Sequence, residues 1–362
     1  VELNANPSQM TIKPRLKAGT YLYRQNHVAN GYLIGNSRSQ VAINSGDAPA
    51  LYAALAEGAS RNEICANLSI SHEDFADLLS ELSAYELLQT ENSAVQVSQR
   101  FISQIAERAE KFGDRSKDAA LSQMRNRIEA ELTLTRWLPG VNDSGASKVN
   151  ARQSAHIEIS GNSRAAQHLF AQLIASGVTD TQFAPNFRRG AELVGDLDLT
   201  GGYVSALDNG QVFVKSSAAI AKSLSLFPAG QESAEEVPNN FAEKVIKVHF
   251  GEIDPAILAL WMASGQEHIV ISEISGARLT ISQLVKPGLT PCTRCLELTI
   301  NDQGNCEVID RPAVRDEIPV VGAHYLSALL AAQLLAIIDT DSAVLTRDAI
   351  AIDLTDLCNT EH

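Results

Sequence analysis

His156-Ile-Glu-Ile-Ser160 and Gly161-Asn-Ser-Arg-Ala-Ala166 run together into an apolar helical pattern that continues to Ala175. A short strand, a glycine turn and a helix in this order are typical of the phosphate-binding turn of a doubly wound fold. Only the first glycine of that turn is present, because Ser163 and Ala166 stand at the later glycine positions. The stretch therefore predicts a Rossmann-like domain with a degenerate cofactor site. The residues left to that site are Gly161, Asn162 and Arg164.

Strand and helix patterns alternate through the rest of the C-terminal half. This succession predicts an α/β fold with a mostly parallel sheet and helices on both faces. The strand after the glycine turn ends in Pro185-Asn186, with no acidic residue placed to bind a ribose. The predicted elements are strands at Val178–Ala184, Val212–Val214, Val245–Phe250 and His268–Ile274, helices at Ser216–Leu224 and Pro255–Ala263, and last strands within Ser342–Asp353.

The N-terminal part has a different pattern, with three short strands followed by three short helices. The order predicts a winged helix-turn-helix, an α+β architecture often found on DNA. Between Asp47 and Glu91, however, the sequence has nine acidic residues and only one basic residue, Arg61. Phosphate would repel such a surface, so the domain is better interpreted as a peptide-binding module. The predicted strands are Arg15–Arg24, Gly31–Gly35 and Gln40–Asn44, and the helices are Ala48–Glu57, Arg61–Asn67 and His72–Ser83.

Length and composition indicate a folded protein of two domains. The chain has 362 residues, of which 45% are hydrophobic and 20% charged, and its net charge of −14 argues against a nucleic-acid partner. We expect a winged-helix domain over residues 1–92, a helical connector and linker over 93–150, and the Rossmann-like domain over 151–362. Five cysteines without a paired framework favour a reducing, cytoplasmic location.

Pro287-Gly-Leu-Thr-Pro-Cys-Thr-Arg-Cys-Leu-Glu-Leu298 is a bent loop that carries two cysteines three positions apart. Such a pair is half of a tetrahedral zinc site, which needs four ligands. The C-terminal Cys358-Asn-Thr-Glu-His362 can supply the other two, with Cys306 as a competing ligand. Reduced thiols without metal, or a disulfide, are the alternatives. The predicted metal ligands are Cys292, Cys295, Cys358 and His362.

Ile318–Ile338 is long and apolar enough to raise the question of a membrane span. The segment is rich in alanine, contains polar residues such as His324 and Gln333, and lacks basic residues on its C-terminal side. These features favour a buried helix or a subunit contact. We therefore expect no membrane association.

Two motifs resemble one family. Leu284-Val-Lys-Pro-Gly-Leu-Thr-Pro-Cys-Thr-Arg-Cys-Leu-Glu-Leu298 resembles the V-x-P-G-x-T-P-C-x-R-C-L-x-L loop of ThiF-like, ubiquitin-activating-type proteins of azole peptide biosynthesis, and Pro14-Arg-Leu-Lys-Ala-Gly-Thr20 resembles the opening of their leader-peptide-binding domain. The resemblance implies that a leader peptide joins the small sheet as an extra strand against the third helix. The matching residues are Gln40, Val41, Ala42, Ile43 and Asn44 of the strand, and Phe75, Leu78, Leu79 and Leu82 of the helix.

The helical residues of that set also recur at i, i+3, i+4 and i+7, which predicts that most of them belong to the domain core. By resemblance, the protein would capture the leader of a ribosomal precursor peptide and present its core to a YcaO-type cyclodehydratase. The missing glycines favour a non-catalytic member that does not use ATP, with structural zinc and a homodimer as further expectations. An ATP-dependent adenylating enzyme and a scaffold or regulatory protein that retains the fold are the alternatives.

Overall fold

A computed structural model describes residues 13–89, 95, 102–103, 107, 114–161, 163–184, 193–194, 211–226, 244–251, 253–272, 277–295, 298, 318–356 and 360–361. The chain forms two compact units. The first comprises residues 1–96 and 122–149, and the second comprises residues 97–121 and 150–362. Residues 122–149, expected in a connector, thus belong to the first unit.

The first unit contains two small antiparallel sheets and three consecutive helices. Strands β2, β3 and β4 form one sheet in that order, and β1 pairs with β5. The strands are β1 Arg15–Leu16, β2 Tyr21–Arg24, β3 Gly31–Gly35, β4 Gln40–Asn44 and β5 Leu88–Gln89, and the helices are α1 Ala48–Glu57, α2 Arg61–Leu68 and α3 His72–Ala84.

Local capping determines where these helices begin and end. Ser60 and Glu63 form a reciprocal capping box at the start of α2. The hydroxyl of Ser71 accepts a hydrogen bond from Asp74 N at 3.0 Å at the start of α3. Helix α1 ends at Gly58, which has a left-handed φ of 78°.

The segment after α4 (Asp114–Thr135) joins the first unit through side-chain contacts. Gly140 N donates to Glu86 Oε1 at 3.0 Å. The Trp137 ring lies 5.6 Å from Lys17 Nζ and would lie 3.5 Å from a Cβ on Gly19. These long-range contacts explain why a stretch that has the composition of a connector is part of a folded unit. Helix α5 (Ala146–Ala151) follows.

The second unit is built on a seven-stranded mixed sheet in the order β14-β13-β12-β11-β10-β6-β7. Strands β7, β6, β10 and β11 are parallel, and β12, β13 and β14 extend the sheet in antiparallel pairings. The predicted α/β class with a parallel sheet is therefore confirmed. The strands are β6 Ala155–Ser160, β7 Asp180–Phe183, β10 Lys244–Phe250, β11 Glu267–Ile271, β12 Arg278–Ile281, β13 Ile350–Asp353 and β14 Thr360–Glu361.

Within the described residues, the longer helices that accompany this sheet are α6 Arg164–Ala175, α7 Phe213–Leu224, α8 Pro255–Ala263 and α9 Val320–Thr340. A separate pair, β8 Leu193–Val194 and β9 Gln211–Val212, precedes α7. The predicted strand Val212–Val214 is wrong after its first residue, because Phe213 already begins α7. Short apolar runs fit a strand and a buried helix equally well, which is the reason for this error.

One face of the sheet packs on α6 and α9. Alternate residues of β6 and β10, such as Ile157, Ile159 and Val248, are fully buried in this core. Helix α9 is long and apolar enough to cross a membrane by length and composition alone, with a mean hydropathy of 1.8 over its most apolar window. It contributes Leu326, Leu330 and Leu334 to the same core, so it is a core helix of this unit.

Candidate functional site

Strand β4 forms an edge of the three-stranded sheet, with β3 as its neighbour. Its side chains alternate: Val41 and Ile43 are buried, whereas Gln40, Ala42 and Asn44 are exposed. The turn that joins the two strands is closed by Asn36 N donating to Ser39 O at 2.8 Å. This bond makes Asn36 and Ser39 a hydrogen-bonded pair. It thereby sets the phase of the antiparallel ladder, that is, which of the following residue pairs exchange main-chain hydrogen bonds.

In that phase, the main-chain groups of Val41 and Ile43 bond to β3, because they pair with Ile34 and Tyr32. The N–H and C=O groups of Gln40, Ala42 and Asn44 then point away from β3. The bond from Gln25 N to Gly31 O, 2.9 Å on the other side of β3, agrees with this phase. Strand β4 thus offers a row of main-chain donors and acceptors along its outer edge.

The predicted helical contacts divide into two groups. Phe75 and Leu82 are fully buried in the hydrophobic core of the first unit, together with Val41 and Ile43 of β4. Leu78 and Leu79 are only half-buried against this core. The side chains of Phe75 and Leu82 are therefore enclosed by the core, while those of Leu78 and Leu79 keep some accessible apolar surface. Glu73, Asp74, Asp77 and Glu81 of α3 are exposed.

The turn after β6 keeps its glycine for a packing reason. Gly161 has φ +92°, and a Cβ added there would lie 2.0 Å from the carbonyl oxygen of Phe250. Ser163 caps α6 by itself: its Oγ accepts from Ala165 N at 3.2 Å, and its carbonyl accepts from Ala166 N at 3.0 Å. Ser163 thus accepts from the second and third N–H groups of α6, two of the donors that a helix N-terminus can offer to an anion.

Of the other two predicted cofactor residues, Arg164 is the first residue of α6 and only 8% exposed. Asn162 lies outside the described residues, as does the stretch 185–192 that contains the Asn186-Phe-Arg-Arg189 sequence. The degenerate cofactor site stays a prediction.

Polar side chains form cross-strand pairs on the face of the parallel strands opposite the α6–α9 core. His156 Nδ1 lies 2.9 Å from Asp180 Oδ2, Lys247 Nζ lies 2.9 Å from Glu158 Oε1, and Ser160 Oγ is hydrogen-bonded to His249 Nδ1 at 2.8 Å. None of these pairs was predicted from the sequence. Alternation of polar and apolar residues in β6 and β10 was the available signal, because successive strand residues point to opposite faces.

His268 of β11 also lies on this second face and is fully buried. Its Nδ1 is 2.9 Å from Gln266 O, and its Nε2 has no hydrogen-bond partner within the described part of the chain. Burial lowers the pKa of His268 below its ordinary value, and the bond to Gln266 opposes this effect only partly. The ring packs beside Trp261 of α8, with ring centroids 5.4 Å apart.

The cysteine loop is held by its own residues up to the first cysteine. Thr290 Oγ1 accepts from Lys286 N at 2.8 Å, and Gln283 Nε2 donates to Pro291 O at 2.9 Å. A helical turn at residues 293–295 follows. It brings Cys292 Sγ and Cys295 Sγ to 3.4 Å.

The electrostatics of this pair favour a thiolate at Cys292. Burial raises the pKa of the Cys292 thiol, but hydrogen bonds from the N–H groups of the turn and from the Cys295 thiol together lower it by more. The pKa of Cys292 therefore lies below its ordinary value. In the described parts of the chain, no third His, Cys, Asp or Glu joins the pair. Two sulfurs do not complete a zinc site, and Cys358, His362 and Cys306 lie outside the described residues. Zinc stays a prediction.

No protein-family model matches the sequence, and no curated protein shows significant sequence similarity to it. The structure is similar to crystal structures of MccB from E. coli. For the complex with succinimide, the TM-score is 0.58 at 14% sequence identity, with 96% of this chain and 95% of that chain covered. The complex with AMPCPP and selenomethionine MccA has a TM-score of 0.57 at 13% identity, with the same coverage.

A third structure, the microcin C7 biosynthetic enzyme MccB in complex with N-formylated MccA, has a TM-score of 0.53 at 13% identity and covers 96% of this chain and 95% of that chain. At such low identity, these likenesses establish the fold only. Over nearly its whole length, the chain shares the fold of these structures.

Proposed function

We propose that this protein recognises the leader of a ribosomally made precursor peptide and presents the peptide to a YcaO-type cyclodehydratase. Among the residues that the structure describes, no strand pairs with the outer edge of β4, and this open edge is the observation that carries the proposal. An extended leader would pair with the main-chain groups of Gln40, Ala42 and Asn44 and so add a strand to the sheet. In this interpretation, the first unit is a winged-helix recognition domain.

Specificity would come from side chains beside the added strand. Leu78 and Leu79 of α3 retain accessible apolar surface, whereas Phe75 and Leu82 are closed into the core. Peptides that add to a sheet edge take affinity from main-chain bonds and selectivity from such apolar pockets. The fold supports the proposal indirectly, because the similar MccB structures include complexes with MccA.

The role of the second unit would be that of a non-catalytic scaffold. Packing against Phe250 accounts for the retained Gly161, and Ser163 uses the N–H groups of the second and third residues of α6 for its own cap. Binding a precursor and its modifying enzyme together raises the effective concentration of one at the other without a chemical step. Such work takes place in the cytoplasm and needs neither a membrane nor a nucleic acid.

The direct test screens fluorescein-labelled leader segments of ribosomal precursor peptides, each titrated with protein and followed by anisotropy. Ala42→Pro removes one outward N–H, and proline is tolerated where a strand edge faces solvent. Loss of one such bond should weaken leader binding about five- to tenfold.

Arg24→Pro is the matched control. Arg24 lies on β2, at the opposite edge of the same sheet, and its main-chain N–H also points away from β3. The Arg24→Pro substitution should leave the affinity for the leader unchanged. Equal weakening by both prolines, or no binding of the leader by the unaltered protein, would remove the recognition proposal.

An ATP-dependent adenylating enzyme is the second candidate, because a strand, a glycine with positive φ and a helix still follow in the order that nucleotide sites use. Calorimetric titration with ATP and Mg²⁺ separates the two candidates. We expect no heat of binding. Micromolar affinity for ATP would make the adenylating enzyme the preferred interpretation. A scaffold or regulatory protein, which would bind neither leader nor ATP, would then be disfavoured.

A homodimer remains part of the proposal. Most of α9 packs within its own unit, and Val320 and Val321 at its start are 40% and 68% exposed. These valines provide an apolar surface where a second copy could pack. Sedimentation equilibrium would show a dimer that Val321→Asp dissociates; a monomer at all concentrations would contradict it.

A further inference from the structure

The solvent-facing side of the three-stranded sheet carries a row of uncharged side chains that lies outside the hydrophobic core. Residues paired across neighbouring strands lie on the same face of a sheet, so Tyr23, Leu33 and Ala42 stand side by side, one on each strand. Their neighbours in sequence, among them Ile34 and Val41, are buried in the core on the other face. The row therefore belongs to the outer surface of the sheet.

This row is accessible and mainly apolar. Tyr23 is 38% exposed, Leu33 is half-buried and Ala42 is exposed. Tyr21 lies two residues before Tyr23 on the same face, is 58% exposed, and meets the Tyr23 ring edge to face with ring centroids 6.3 Å apart. Single exposed apolar side chains are ordinary on a protein surface, whereas a contiguous set of them marks a binding surface.

The row reaches the open edge of the sheet at Ala42, and this continuity identifies its occupant. Ala42 is the central residue of β4, and its main-chain groups point away from β3. A peptide strand that pairs with this edge places the residue opposite Ala42 with its side chain on the solvent-facing side, because paired residues share a face. Since the side chain of Ala42 ends at Cβ, a large side chain beside it can lean over β4 toward Leu33.

We propose that the leader carries an aromatic or large aliphatic residue opposite Ala42, which extends the row of Tyr23, Leu33 and Ala42 onto the added strand and packs on Leu33. The inference rests on the proposed function, because the leader must first pair with β4. The leader residues two positions before and after lie opposite Gln40 and Asn44, which are exposed and polar. The ligand class is thus an extended peptide with the pattern polar-x-large apolar-x-polar, recognised on the face opposite the hydrophobic core.

The test selects binders from a phage-displayed library of random nine-residue peptides on the immobilised full-length protein. Each selected peptide is synthesised with a fluorescein label in two forms, one with the large apolar residue and one with serine in its place, and both are titrated by anisotropy. On the unaltered protein, serine should weaken binding about threefold, the effect of one cross-strand apolar pair.

Two variants of the protein locate the contact. Leu33→Thr removes it and keeps a β-branched residue in the strand. In this variant the two forms of each peptide should bind equally, because the side chain that distinguishes them has lost its partner. Tyr21→Thr is the matched control, since it makes the same replacement on the same face but in the row of Gly35 and Gln40. It should preserve the difference between the two forms.

Failure of this inference and failure of the proposed function give different results. Peptides that Ala42→Pro weakens, but that show no preference for a large apolar residue or keep that preference in Leu33→Thr, would overturn the inference and leave leader recognition at β4 intact. Selection of no peptide, or binding that Ala42→Pro does not change, would remove the proposed function and this inference with it.

Discussion

At the residue scale, individual residues of the second unit make contacts that hold its elements together. Gly161 lies where β6 turns toward α6, and the backbone of β10 comes so close that no side chain fits. Arg152 is fully buried and forms a bidentate ion pair with Asp339 of α9, at 3.0 and 2.8 Å. These residues connect elements that are far apart in the sequence.

Gly161→Ala should destabilise the second unit strongly. The new Cβ would lie 2.0 Å from Phe250 O, and φ +92° is unfavourable for alanine. We expect a loss of at least about 2 kcal/mol in the free energy of unfolding, measured by urea denaturation. Gly265→Ala is the control, since Gly265 has φ +70° but nothing within 4 Å. Its cost should be about 1 kcal/mol, the cost of the left-handed conformation alone. Equal costs would disprove the packing explanation of Gly161.

His268 should make stability depend on pH. Its pKa in the folded protein is lowered by burial, so the unfolded chain binds the proton more tightly. The stabilisation is complete above the unfolded pKa of about 6.5 and decreases as the pH falls toward the folded pKa. Urea denaturation between pH 7.5 and 5 should show this decrease, and His268→Phe should make the slope shallower. An unchanged slope in the variant would assign the effect to another group.

At the element scale, helices α2 and α3 of the first unit each begin at a serine N-cap. Ser60 and Ser71 each cap the helix that follows. Hydrogen bonding to Ser60 lowers the pKa of Glu63, which keeps the reciprocal acceptor of the capping box ionised. Helix α3 presents its buried residues, Phe75 and Leu82, to the same core as β4.

Ser71→Ala should destabilise the first unit by about 1 kcal/mol, because Asp74 N loses the hydroxyl that accepts its hydrogen bond. Ser83→Ala, near the exposed end of the same helix, should change stability by less than about 0.5 kcal/mol. Thermal unfolding monitored by circular dichroism measures both. If Ser83→Ala cost as much as Ser71→Ala, the cap would not be the cause.

At the scale of the whole molecule, charge decides which partners are excluded. The chain has 43 acidic and 29 basic residues, a net charge of −14. The exposed acidic residues of α3 occupy the helix that a winged-helix protein would place in the major groove. Long-range repulsion of phosphate follows from this distribution.

We therefore expect no retardation of duplex DNA in a gel-shift assay at about 0.15 M salt, where non-specific binders are already weakened by counterion release. Glu73→Lys combined with Asp77→Lys provides the comparison, since it adds positive charge to α3 without touching the core. Retardation by the unaltered protein would restore the DNA-binding interpretation of the winged-helix pattern.

Much of the secondary structure follows from local sequence. Helices α1, α2, α3 and α8 lie within one residue of their predicted bounds, because caps, prolines and the 3.6-residue period act over a few positions. The start of α7 and the antiparallel orientation of β12 and β13 do not follow from local sequence. A short apolar run does not indicate whether it forms a strand or a helix, nor in which direction a strand will pair.

By itself, the sequence determined the α/β class, the positions of the capped helices, the cysteine pair and the charge that disfavours nucleic acid. Only the tertiary structure decided which strand edge of the first unit is open, which leucines of α3 remain accessible, and why Gly161 cannot be replaced. The physical reason is range. Caps and periodicity act between neighbours in the chain, whereas strand order, burial and close backbone approach depend on residues brought together from distant positions.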